Sequence, residues 1–290
     1  MFAIIGLVVV FGSVAAGYFM SHGHFAVLFQ PAELVIIFGA AIGGMLVANP
    51  ISNVIALLKS TMGVLKGSPY TKIAYLDTLK ALSDIFSYGR KNGLQKLEAD
   101  IEDPVKSALF SPHKILIANH HALDFVCDTL RTSIAGGIGH FEIEQSMEAD
   151  IEIMKHELEQ PVGALKEMAD ALPGMGIVAA VLGVVITMGA LGGPPEQIGE
   201  HVAAALVGTF LGILFCYGIF GPLASNIQKI NESEIEYMHS LRAGVGAYMK
   251  GAAPILAIEM ARRSIPPHVR PSFKEMEQKI KGGAAKQPNA

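Results

Sequence analysis

His121, Asp124 and Asp128 recur at roughly helical intervals in NHHALDFVCD, a spacing that sets an imidazole and two carboxylates along one side of a helix, as one half of a metal site requires. No C-x-x-C, H-E-x-x-H or oxygen-rich calcium loop accompanies them, so metal binding is not expected. The GGIG run at Gly136 to Gly139 lacks the Lys and Ser/Thr of a phosphate-binding loop, and no ATPase signature is present to drive work. Cys127 and Cys216 have no metal-ligand spacing, and neither is expected in a disulfide. No catalytic or cofactor constellation stands out; the chain reads as a protein that is not an enzyme and needs no cofactor.

The apolar stretches are informative for what they carry and what they lack. Of 290 residues 51% are hydrophobic and only 17% charged, and residues 1 to 32, 34 to 58, 171 to 195 and 201 to 228 contain no Asp, Glu, Lys or Arg. A bilayer crossing needs about 20 mostly apolar residues, so each block supplies one, at about 2 to 20, 32 to 50, 171 to 191 and 201 to 221. The first opens without a basic region and is followed closely by the second, which favours an uncleaved membrane helix over a signal peptide. Proton and ion carriers need an ionisable group inside the membrane. Here residues 171 to 195 have none, the fourth helix offers only Cys216 and Tyr217, and Glu33 and His201 read as too close to the outer boundary. If the protein moves ions, a partner must donate the carboxylate. Thr187 and Thr209 then line the path or bond to that carboxylate, or else bond back to their own helices. Small residues four apart (Gly12 and Ala16, Gly39 and Gly43, Gly176 and Ala180, Gly208 and Gly212) allow close helix approach, within this chain or to another. Gly176, Ala180, Gly183 and Thr187 form one thin stripe on the third helix. Pro173 and Pro222 frame the last two helices at one membrane depth, as a first-turn proline and an exit proline, where a movement would pass from membrane to cytoplasmic helices.

These runs imply an all-α polytopic membrane protein with four transmembrane helices and a helical cytoplasmic domain. Twelve of the 22 Lys and Arg lie between Lys59 and Lys166 and ten between Lys229 and Lys286, so the positive-inside rule puts both regions, and both chain ends, in the cytoplasm. Residues 1 to 50 hold helices one and two, 51 to 170 a cytoplasmic helical loop, 171 to 222 helices three and four, and 223 to 290 a cytoplasmic helical tail whose last residues are expected to be disordered. In the loop, Ile73, Leu76, Leu79, Leu82 and Phe86 recur near helical spacing, Gly89 and Gly93 mark a break or bend, further helices begin near His113 and Ser146, and Glu148, Glu152, Glu157 and Glu159 read as a solvated face. A net charge of −4 gives no attraction to nucleic acid.

The order of two helices, long loop, two helices and tail, the SYGRKNGLQKLEADIEDP segment and the ALPGMGIVAAVLGVV entrance to helix three resemble the MotA stator proteins of the bacterial flagellar motor across residues 1 to 283. A more distant likeness is to the energising subunits of the ExbB and TolQ type, which have three membrane helices. The resemblance implies an inner-membrane pentamer around two copies of MotB, whose helix brings an ion-carrying aspartate, with a cytoplasmic face that pushes on the rotor protein FliG. It also implies that Arg90 and Glu98 are the torque-generating charges, Pro173 and Pro222 the coupling prolines and Thr209 the polar residue of the ion route. Ala180, where Thr would mark the other branch, implies H+ as the ion. Taken by themselves, Arg90 and Glu98 are eight residues apart and share a face only if the helix continues past Gly93; a plain solvated charge cluster fits them as well. Three other readings stand beside the motor: an ExbB-type energising subunit, a self-contained transporter, and a membrane scaffold. The missing central ionisable group weighs against the transporter, and the paired prolines against the scaffold.

Overall fold

The structure is a computed structural model that describes residues 2–64, 67–189, 192 and 194–284. In chain order its helices are α1 (Phe2–Met20), α2 (Phe25–Leu28), α3 (Pro31–Ala48), α4 (Ile51–Val64), α5 (Lys72–Asn92), a 3₁₀ turn (Leu94–Leu97) and α6 (Glu98–Glu102). There follow α7 (Lys114–Ala118), α8 (His120–Ala135), α9 (His140–Gly189), α10 (Pro195–Phe215), a π-helical turn (Cys216–Phe220), α11 (Gly221–Met249), α12 (Pro254–Ser264) and α13 (Phe273–Ala284). The fold is all-α among the described residues. Among the described residues, four stretches are long and apolar enough to cross a membrane: Ala3–Met20, Phe25–Ala48, and parts of α9 and of the run from Pro195. The start of the expected disordered tail, at Lys281, is still helical, and residues 285–290 lie outside the described residues.

The chain divides into two compact units, Met1–Gly67 with Glu157–Asn231, and Ser68–His156 with Glu232–Ala290. In the first, α3 opens on Pro31, whose missing N–H would be without a partner at a helix start anyway. Glu33, Ile37, Ala41 and Met45 recur every four residues along its buried face. That face joins Leu165, Met168, Leu172 and Ala179 of α9 and Val207 and Leu211 of α10 in one core. Asn49 ends α3 by covering the Met45 carbonyl with both its N–H (3.0 Å) and its Nδ2 (3.1 Å). Polar ties accompany it: Asn53 Nδ2 donates to Gln160 Oε1 (2.9 Å), Lys166 Nζ to Gln228 Oε1 (2.6 Å) and Asn231 Nδ2 to the Leu158 carbonyl (2.8 Å).

The two prolines behave differently from the local reading of their sequences. Pro173 does not open a helix; α9 runs 50 residues straight through Pro161 and Pro173. Each proline removes one intrahelical donor and crowds the preceding turn, at about 3 kcal/mol in isolation, which tertiary packing along α9 must offset. Pro222 does not end helix four either. The Gly221 N–H reaches back five residues to the Cys216 carbonyl, so the coil widens by one residue immediately before Pro222 and the helix continues as α11.

In the second unit α5 starts under Thr71, whose side chain accepts from the Ala74 N–H at 3.4 Å, passes through Gly89 and stops at Gly93, which adopts φ +90. Leu79, Leu82, Ile85 and Phe86 are buried with Tyr237, Leu241, Val245 and Tyr248 of α11. Ile73, expected on the same face, is 68% exposed. A step of three residues turns the helix by about 300°, so the stripe drifts by about 60° per step, and by Ile73 it has left the face that holds Leu79. Phe86 stacks on Tyr248 (centroids 4.3 Å, 6°), and the Tyr237 hydroxyl and Thr78 Oγ1 lie 2.6 Å apart in the core. Ser272 and Glu275 form a reciprocal cap on α13: Ser272 N–H donates to Glu275 Oε2 (2.7 Å) and Glu275 N–H to Ser272 Oγ (3.2 Å). Glu148, read as solvated, is paired with Arg242, and Lys250 with Glu144 (2.7 Å).

Candidate functional site

In the first unit α9 and α10 pack backbone to backbone, and glycines make it possible. A Cβ on Gly176 would lie 2.9 Å from the Gly208 carbonyl oxygen and 3.3 Å from the Cα atoms of Thr209 and Gly212; one on Gly212 would lie 2.5 Å from the Leu172 carbonyl oxygen. One on Gly183 would lie 2.8 Å from the Ala205 Cβ. The two backbones therefore touch over more than two turns. The thin stripe on α9 is used by the chain's own α10, and Thr187 Oγ1 bonds back to the Gly183 carbonyl at 2.8 Å. Ala180 and Thr209 are half-buried beside this seam, each one residue beyond a buried neighbour, Ala179 and Gly208. By contrast, Cβ atoms on Gly12, Gly39 and Gly43 would meet nothing within 4 Å, so these glycines face away from the rest of the chain.

From Val202 to Phe215 α10 carries no ionisable side chain, and α9 carries none from Ala171 to its end. One carboxylate nevertheless reaches the seam, from another helix. Glu33 is only 6% exposed, and a Cβ on Gly208 would fall 2.6 Å from its Oε2. Glu33, expected near the outer boundary, shares a period of four with Ile37 and Ala41, and that period is the signal that places it on the buried face of α3. At the other end of α10, Phe38 packs edge-on to Phe215 (4.8 Å) and Phe220 (6.0 Å), and Phe11 to Phe215 (6.5 Å), so the widened turn before Pro222 is braced from α1 and α3. Pro222 is exposed and Pro173 half-buried.

In the second unit Arg90 and Glu98 are both exposed, but on different elements: Arg90 in the last turn of α5, Glu98 at the start of α6. Gly93 and the 3₁₀ turn separate them, with Leu97 buried beneath, so the continuous helix that would align them does not form. Neither forms a salt bridge among the described residues. Beneath Arg90, Gly89 allows close approach of the Tyr248 hydroxyl, which would lie 2.6 Å from a Cβ there. Burial raises the Tyr248 hydroxyl pKa above its ordinary value against a smaller opposing effect of the Arg90 charge. A second polar cluster surrounds Asp84. Burial works to raise its carboxyl, but the His113 imidazole (3.3 Å) and the Lys80 ammonium outweigh that and hold it below the ordinary value. His121, Asp124 and Asp128 do not assemble into a metal site among the described residues; His121 Nδ1 pairs with Glu234 at 2.8 Å and Asp128 with Arg131.

A helix pair closed on glycine, in a chain that is all-α with four membrane-length spans among the described residues, defines a polytopic helical membrane protein. Residues 4–93 match the family model described as Motility protein A N-terminal, and residues 118–240 that of the MotA/TolQ/ExbB proton channel family. The chain is 38% identical over 289 residues to Motility protein A of Salmonella typhimurium, covering 100% of this chain and 97% of that protein. It is 33% identical over 274 residues to Chemotaxis protein LafT of Vibrio parahaemolyticus, covering 94% and 96%. Its fold is that of a chain in the C. jejuni MotAB structure (TM-score 0.76, 18% identity, 93% and 98% covered) and in the flagellar MotAB stator complex of Bacillus subtilis (TM-score 0.73, 22% identity, 93% and 98% covered). The chain belongs to the motility protein A family of flagellar stator subunits, within the MotA/TolQ/ExbB proton channel family.

Proposed function

We propose that this stator subunit, with MotB, forms the inner-membrane complex that turns inward proton flow into torque on the flagellar rotor. The observation that carries the reading is the match to Motility protein A along the whole chain, and the α9–α10 seam, a helix pair in backbone contact with no central ionisable side chain of its own, supports a carboxylate brought by a partner. Five copies of the chain surround two copies of MotB, whose aspartate carries H+ past Thr209, while Ala180 leaves room beside it. Neutralising that aspartate changes which low-dielectric surroundings it tolerates, and Pro173 and Pro222 pass the resulting movement to cytoplasmic helices. Residues 1 to 50 and 171 to 222 hold the four membrane helices and their short external connections, residues 51 to 170 and 223 to 290 lie in the cytoplasm, and both chain ends are inside. There Arg90 and Glu98 meet FliG. Exposed charges suit that role, because pairs worth about 0 to 1 kcal/mol form and release readily. Each proton crossing about 100 mV releases about 2.3 kcal/mol. The test is proton flux into vesicles holding this chain alone or with MotB: flux only with MotB supports the reading, and robust flux from this chain alone overturns it.

A further inference from the structure

The Glu33 carboxylate has no part in the reading above. It belongs to the first turn of α3, yet it is buried, and its Oε2 has no hydrogen-bond partner among the described residues. It rests against the backbone of α10 at Gly208, where Ala179 of α9 also closes in: a Cβ on Gly208 would meet Glu33 Oε2 at 2.6 Å and the Ala179 Cβ at 3.2 Å. A side chain larger than glycine at 208 would displace the carboxylate. The next residues along each helix are Thr209 and Ala180, the two positions assigned to the ion route. A buried carboxylate oxygen of this kind is satisfied by its own proton or by a donor from outside the chain. Both answers place exchangeable hydrogen beside the seam.

We propose that Glu33 is a second proton-carrying carboxylate of the stator, supplied by this chain, which takes H+ from the outer side and passes it to the partner's aspartate. This rests on the reading that the partner's aspartate carries the ion. The step is proton transfer alone: an O–H bond forms at Glu33 as water or hydronium gives up H+, and breaks as the partner's carboxylate accepts it. The Glu33 charge goes from −1 to 0 and back, and nothing is oxidised or reduced. Glu33 does not conduct by itself, because the remaining depth of α9 and α10 offers no further acceptor.

The experiment uses the full complex with its partner in vesicles and measures proton uptake for wild type, Glu33→Gln, Glu33→Asp and Gly208→Ala. Gln keeps the size and hydrogen-bonding capacity of Glu but carries no proton, so its flux should fall about tenfold, below the full worth of a positioned proton carrier because water substitutes in part. Asp should retain more flux than Gln, and Gly208→Ala should lower flux by crowding the carboxylate. In the same samples, infrared difference spectra with isotope-labelled glutamate should show a carboxyl band in the wild type that Glu33→Gln lacks. Wild-type flux with an unaltered Glu33→Gln variant would overturn the Glu33 role and leave the partner's aspartate standing. A silent wild-type complex would overturn both. Loss of partner co-purification in every Glu33 variant, with no glutamate band in the wild type, would make Glu33 a packing residue and overturn the proposal.

Discussion

At the residue scale, the glycines of the first unit separate into two kinds that composition cannot distinguish. Gly176 and Gly212 are closed in by backbone atoms, which cannot swing aside as a side chain would, whereas Gly39 and Gly43 meet open space. Gly212→Ala should therefore destabilise the helix pair by about 1 to 3 kcal/mol, seen as a melting temperature several degrees lower in detergent, while Gly43→Ala leaves the melting of the isolated chain unchanged. Should Gly43→Ala impair assembly of the complex instead, that glycine is covered by a neighbouring helix. In the second unit, Tyr237→Phe strands the Thr78 hydroxyl and should cost about 1 to 2 kcal/mol; adding Thr78→Val should recover part of the loss, because a pair removed together leaves no buried hydroxyl unsatisfied. A double-mutant cycle by denaturant unfolding measures this.

At the element scale, α13 provides the acid-sensitive feature. Hydrogen bonds from Lys72 and from the backbone and side chain of Ser272 hold the Glu275 carboxyl at about 2, below its ordinary 4.5. A carboxyl depressed on folding contributes stability that is fully present above its unfolded value and lost as pH falls through its folded one. The α13 cap should hold above about pH 4.5 and loosen toward about pH 2, and Glu275→Gln should remove that dependence; acid titration of the α13 amide signals in both proteins checks it. The membrane spans were legible in the sequence because lipid tolerates no charge over about 20 residues, which leaves a signal visible without tertiary information. The fusion of α9 into one helix was not, because Pro173 carries the local signature of a helix start, while the packing around it, such as the approach of Gly212 to Leu172 and Gly176, is invisible in the local sequence. The π turn was hidden in the same way: Pro222 reads as a stop, and the donor that resolves it comes from Gly221. Thr209 and Ala180 enter the proposed site through family resemblance alone, whereas the burial of Glu33 against α10 needed the structure, since position near the end of an apolar run does not say which helix a side chain packs on.

At the scale of the whole molecule, the proposed function gives torque and conduction to different parts, which makes them separable. Reversing Arg90→Glu or Glu98→Lys should impair swimming while proton flux through the complex with MotB stays at the wild-type level; loss of flux in either variant would show that the division is wrong. The orientation is checked by thiol labelling of sealed cells. A cysteine at Gly23 should react with an impermeant reagent from outside, and one at Gly139 should not. Labelling at Gly139 would invert the topology and remove the proposed cytoplasmic rotor contact with it.

The two native thiols, Cys127 and Cys216, are both free and buried, and they fall one in each compact unit. Burial, against a smaller opposing pull from Arg131, pushes the Cys127 thiol up to about 12, so in the folded chain it is almost wholly the unreactive thiol at neutral pH. The unmodified protein thus carries its own pair of clocks. Under a reagent in excess, Cys216 reacts only as often as the membrane unit opens and Cys127 only as often as the cytoplasmic unit does. Mass spectrometry of the two peptides over time would give the opening rate of each unit in the working motor, with no engineered probe, and would reveal whether proton flow loosens one while leaving the other closed.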